Sequence, residues 1–105
     1  MKKIIKRLIK FRDERNWQKF HTPANLAKSI VLEASELLEN FQWDETNVDI
    51  ENIKHELADV MAYCLLLSEH YNLDIETILN EKIDLNENKY PINKAYNTAK
   101  KYTEL

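Results

Sequence analysis

The chain has 105 residues, 31% of them charged and 44% hydrophobic, with a formal net charge of −3. That composition is too apolar for a disordered segment and argues against nonspecific nucleic-acid binding, and a domain this small buries only about two thirds of its unfolded surface. Glycine is absent altogether, which excludes a glycine-rich phosphate loop or a dinucleotide fingerprint and leaves side chains and metal as the means of holding a phosphate.

The opening stretch MKKIIKRLIKF is basic and amphipathic. It lacks the continuous apolar core and the small-residue cleavage site of a secretion signal. Its apolar residues Ile4, Ile5, Leu8, Ile9 and Phe11 predict a surface helix from near Lys2 to Asn16, with a lysine-rich outer face rather than a membrane anchor. Thr22 is a good helix N-cap and Pro23 suits a first turn, so a second helix begins there and runs to about Phe41. Its apolar face is Leu26, Ala27, Ile30, Ala34, Leu37 and Phe41. The polar connector QWDETNVD follows, and Asp49 caps a long third helix from Ile50 to about Tyr71. Asn72 takes the left-handed position that glycine cannot fill here. Asp74 caps a fourth helix reaching about Leu85, before NENKYP breaks the pattern at Pro91. The polar tail from Ile92 is predicted as a frayed helix. No strand pattern, repeat or low-complexity tract occurs. The single Cys64 lies in an apolar helical run and reads as a reduced, buried thiol of a cytoplasmic protein. The prediction is therefore an all-α single domain over residues 1–105, an antiparallel helical bundle of about four helices. Leu57 to Leu67 is apolar on more sides than so small a bundle covers, so dimerisation is expected to complete it.

Two pairs of acids carry the chemistry. Glu33 and Glu36 stand one turn apart on the second helix, and Glu56 and Asp59 repeat that spacing on the third. On a helical wheel Glu33 and Glu56 each fall roughly 80° from the centre of their apolar face, and Glu36 and Asp59 each roughly 140°. The pairs are thus equivalent, and packing the two helices with the same flank inward brings four acids into one volume. Such a cluster repels itself unless hard divalent cations with oxygen preference, Mg²⁺ or Mn²⁺, offset the charge. The plainer alternative is two solvated acidic faces, and Glu39 does continue the first one outward. Against it, Asp59 is the one charge between Leu57 and Leu67, and a lone acid in an apolar run needs a partner. A di-iron carboxylate bundle is disfavoured, because neither pair supplies the histidine of an ExxH motif.

With NWQKFHTPANLAKSIVLEASELLENFQW, ELADVMAYCLLL and KIDLNENKYP in view, the chain from about Phe11 to Pro91 resembles the all-α nucleoside triphosphate pyrophosphohydrolases of the MazG type. It is especially similar to the dCTP pyrophosphatase subgroup. The ExxE and ExxD signature is matched by Glu33, Glu36, Glu56 and Asp59. The resemblance implies Mg²⁺-dependent hydrolysis of a nucleoside triphosphate to the monophosphate and pyrophosphate, by a homodimer or homotetramer; the charge and the N-terminal stretch lead us to expect no nucleic-acid or membrane partner. It implies that these four acids ligate Mg²⁺ and that Glu33 or Glu36 orients the attacking water. It further matches Lys82, Asn86, Lys89 and Tyr90 to phosphate contacts. Trp17, His21, Asn25 and Trp43 match positions around the base and sugar, and Tyr63, one turn after Asp59, is expected to point its hydroxyl into the same site. A noncatalytic helical module that binds nucleotide or recruits a partner is the alternative, and it has no need of all four acids.

Overall fold

A computed structural model describes residues 1–105 and is wholly helical in its regular structure. Its elements are α1 (Lys2–Glu14), α2 (Pro23–Glu39), α3 (Ile50–His70), α4 (Ile75–Lys89) and α5 (Ile92–Ala95), with 3₁₀ turns at Trp17–Lys19 and Tyr102–Glu104. The caps sit where the sequence puts them. Thr22 Oγ1 accepts the Asn25 N–H at 3.2 Å, Asp49 Oδ1 the Asn52 N–H at 3.1 Å, and Asp74 Oδ2 the Thr77 N–H at 3.0 Å. Asn72 takes φ 54, the left-handed stop after α3.

Two boundaries differ from expectation. Helix α1 stops at Glu14, because Asn16 also enters the left-handed region at φ 53 and turns the chain into the 3₁₀ segment. Helix α4 runs on to Lys89 rather than ending near Leu85. Asn86, Glu87, Asn88 and Lys89 contain no breaker, and only the proline at 91 drives its predecessor Tyr90 out of helical geometry.

The chain divides into two compact units, Met1–Asn72 and Leu73–Leu105. In the first, α2 and α3 lie antiparallel. Asn52, at the start of α3, donates from Nδ2 to Asn40 Oδ1 at 2.6 Å just beyond the end of α2, while the His21 ring before α2 meets Tyr63 far along α3 at 6.2 Å between centroids. The buried core is small: Leu26 from α2, and Leu65 and Leu66 from α3, each worth about 2 kcal/mol of burial. Ser68 is buried beside them and donates to the Leu65 carbonyl at 2.8 Å. The inward stripe of α2 is Leu26, Ile30, Glu33 and Leu37, spaced by four, three and four. Ala27 and Ala34, expected on this face, are exposed instead. The stripe turns toward Glu33 and away from the alanines, and the matching stripe of α3 is Ile53, Glu56, Val60 and Tyr63. Cys64 is free and half-buried rather than fully enclosed. In the second unit the Tyr90 and Tyr102 rings meet edge to face at 5.9 Å, and Lys89 Nζ stands 4.9 Å above the Tyr102 ring. No helix is long and apolar enough to cross a membrane.

Candidate metal centre and adjoining cavity

The antiparallel stripes set the acids of α2 against those of α3. Glu33, Glu56 and Asp59 each bring a carboxylate oxygen within 4.8 Å of the other two. Glu33 and Glu56 are half-buried and Asp59 exposed, the order in which the helical wheel ranks them. Oε2 of Glu33 and Oε2 of Glu56 are buried and have no hydrogen-bond partner. A buried carboxylate oxygen without a donor is costly, and a cation is the group that relieves two of them at once. The acidic set also fits the hard oxygen-preferring ions Mg²⁺ and Mn²⁺.

Glu36 lies outside this close trio but borders it, and its carboxyl acts on both Glu33 and Glu56. Burial pushes the Glu33 carboxyl above its ordinary range, followed by the neighbouring Glu36 carboxyl and the charges of Asp59 and Glu56. Burial also raises Glu56, followed by Glu36, Asp59 and Glu39. Glu39 thus acts on the cluster as well as continuing the outer face. Its spacing of three from Glu36 is the signal in the sequence.

Beside the acids, a cavity of about 240 Å³ is lined by Leu8, Phe11, Arg12, Trp17, His21, Asp59, Ala62, Tyr63 and Leu66. It brings together Trp17 and His21, two of the four residues expected around the base and sugar, with Tyr63 and the acid Asp59. Trp17 packs edge-on against Phe11 at 5.7 Å and keeps 43% of its surface exposed. His21 Nδ1 is buried and unpartnered, and burial and then the Arg12 charge hold the imidazole below its ordinary value. Arg12 is the cavity residue that sequence reasoning missed. In FRDER it looks like one more surface cation, and only its place next to Phe11, on the inward flank of α1, hints otherwise.

Two of the expected residues are not brought to this cavity. Asn25 donates from Nδ2 to the Phe20 carbonyl at 2.9 Å, which ties the turn before α2 together. Trp43 is 89% exposed in the connector between α2 and α3. In the second unit, Lys82 and Asn86 are exposed on α4, Lys89 ends it, and Tyr90 follows half-buried.

The sequence profile of the MazG-like family matches residues 28–105. The chain is 34% identical over 111 residues to human dCTP pyrophosphatase 1, a match covering 96% of this chain and 65% of the human protein's length. The rat dCTP pyrophosphatase 1 is also 34% identical, with the same coverage. The fold is similar to the crystal structure of a pyrophosphatase from Archaeoglobus fulgidus, with a TM-score of 0.78 and 39% identity over 87% of this chain and 92% of that one.

Proposed function

Because the chain belongs to the MazG-like family, we propose that it is a Mg²⁺-dependent nucleoside triphosphate pyrophosphohydrolase acting on pyrimidine deoxynucleotides such as dCTP. The observation that carries this reading is the trio Glu33, Glu56 and Asp59, with oxygens within 4.8 Å of one another and two buried oxygens lacking any partner. The names of the dCTP pyrophosphatases it resembles support the substrate class. Residues 1–105 act as one domain, and the family match runs across both compact units.

Glu33, Glu36, Glu56 and Asp59 hold Mg²⁺ or Mn²⁺. When bound, such an ion neutralises phosphate charge and favours ionisation of water at neutral pH. Glu33 or Glu36 orients the water that cleaves the bond between the α- and β-phosphates, releasing the nucleoside monophosphate and pyrophosphate. Little covalent work falls to the protein in such a reaction, and positioning and charge do most of it. Trp17 offers a flat face for stacking a base, and His21 and Tyr63 offer polar atoms beside it. The Lys82 and Lys89 ammonium groups and the Asn86 amide carry the chemistry to meet phosphate oxygens.

The active form is a homodimer or homotetramer. Val31 and Leu32 are each 65% exposed, Leu38 is 68% and Leu57 49%, a large apolar area for two helices of one unit. Apolar interfaces between subunits bury such surplus. Light scattering that finds a fully active monomer at micromolar concentration contradicts this part. The whole reading is tested by pyrophosphate release from a panel of triphosphates with and without Mg²⁺. Release from dCTP that stops on chelation is the expected result, and no release from any triphosphate overturns the reading in favour of a binding module.

A further inference from the structure

We propose that Arg12 is a specificity-determining residue, its guanidinium donating to the ring N3 and carbonyl O2 of a cytosine base held in the aromatic cavity. The inference rests on the hydrolase reading above and names the residue that discriminates among its substrates. The last turn of α1 sets Arg12 in the cavity wall with Phe11, Trp17, His21 and Tyr63. Within the chain only its Nε is engaged, bonded to Asp13 Oδ1 at 2.8 Å, and 21% of the side chain is exposed. Asp13 therefore orients the planar group and leaves the outer N–H donors of the fork free for a ligand.

Two observations tie Arg12 to the base rather than to the phosphates. The Arg12 charge is felt at His21, which lines the same cavity. The rest of the cavity wall is aromatic or aliphatic apart from His21, Asp59, the Trp17 indole N–H and the Tyr63 hydroxyl, so few groups there can read a base edge.

A pair of parallel N–H donors matches two adjacent acceptors in one plane. Cytosine presents N3 and O2 in that arrangement, with an exocyclic amine on the other side of N3. Thymine and uracil place an N–H at position 3, which meets the fork as donor against donor. Guanine also offers two adjacent acceptors, N7 and O6, with the N1–H beside O6, but on a two-ring base with a wider spacing between the acceptors. His21 Nδ1 is buried and unpartnered, and in the tautomer that carries the proton on Nε2 it accepts from the cytosine amine. Arg12 and His21 together thus complement the edge of cytosine and not that of thymine, uracil or adenine, and the dGTP arm of the test separates cytosine from guanine.

The test uses R12A and R12K beside the wild type, with steady-state kinetics on dCTP, dTTP and dGTP. Binding of dCMP and dTMP is followed by tryptophan fluorescence, and inhibition by inorganic tripolyphosphate is measured alongside. R12A is expected to raise KM for dCTP about tenfold or more, the discrimination of a lost bidentate pair, with kcat changing less and dTTP scarcely affected. R12K keeps the charge but not the fork, and is expected to lose most of the same preference while melting like the wild type. Equal weakening of dCTP and dTTP, or parallel loss of tripolyphosphate inhibition, reassigns Arg12 to phosphate and overturns the proposal, as does an unchanged dCTP to dTTP ratio. A wild type that binds dCMP over dTMP through Arg12 yet hydrolyses no triphosphate overturns the hydrolase reading alone. A hydrolase indifferent to R12A overturns this inference alone.

Discussion

The two halves of α3 differ in what they do with the same kind of sequence. Its C-terminal half holds most of the core of the first unit, with Leu65 4% exposed, Leu66 7% and Ser68 5%. Its N-terminal half leaves Ile50 62% exposed and Leu57 49%, and carries Glu56 and Asp59. One end closes the fold and the other holds mutually repelling carboxylates. Charges that must meet a cation and a substrate cannot be sealed in a core, because desolvation without a partner costs more than packing returns. The division lets the chain keep a costly cluster at the end of the helix that contributes least to stability.

The largest effect that separates the halves is Glu56→Gln. It removes one of the three converging carboxylates, and turnover is expected to fall on the order of a hundredfold or more, several kcal/mol of lost charge stabilisation. The fold should survive, as read by circular dichroism. Near-normal Mg²⁺-dependent activity in this variant would remove the metal assignment. The opposite half is probed by Leu65→Ala, which should cost about 3 kcal/mol in denaturant unfolding by leaving a cavity. Leu57→Ala should cost less than about 0.5 kcal/mol within one chain. If it instead weakens subunit association, the exposed flank of α3 belongs to the oligomer.

A smaller effect concerns the wall of the cavity. Trp17→Ala should raise KM for the best substrate about tenfold, roughly 1.4 kcal/mol of lost stacking, and change kcat less. An unchanged KM would return Trp17 to packing against Phe11, its contact at 5.7 Å.

How far the sequence is legible follows from which forces act locally. Capping by Thr22, Asp49 and Asp74, and the left-handed Asn72, depend on residues one turn away and are readable directly. The equivalence of Glu33 and Glu56 is readable too, since both obey the helical wheel. The precise inward stripe of α2 is not, because the rotation of one helix against another is decided by its partner; Ala27 and Ala34 turned outward for that reason. Arg12 was illegible for a related cause. Its role depends on a cavity assembled from α1, α3 and the turn at Trp17–His21, which no single segment announces.

The smallest effect is a pH dependence that distinguishes the costly end of α3 from the stabilising one. In the folded, metal-free protein Glu33 and Glu56 are both raised, by burial first and by neighbouring carboxylates next. Between their ordinary value of 4.5 and their raised folded values, the native state therefore holds protons that the unfolded chain has released. Stability falls with pH wherever the native state binds the more protons. The contribution of the pair is thus fully present below 4.5 and is lost as pH rises through the folded values. Replacing both by glutamine removes the term, so the melting temperature of the double variant, measured against wild type in chelator, should be nearly equal at acid pH and higher by a widening margin toward neutrality. Mg²⁺ should close or invert the gap at neutral pH, because only the wild type has the full set of carboxylates to bind it. A gap that stays constant with pH would mean that the acids of α2 and α3 do not feel one another in solution, and the four-acid cluster would have to be abandoned.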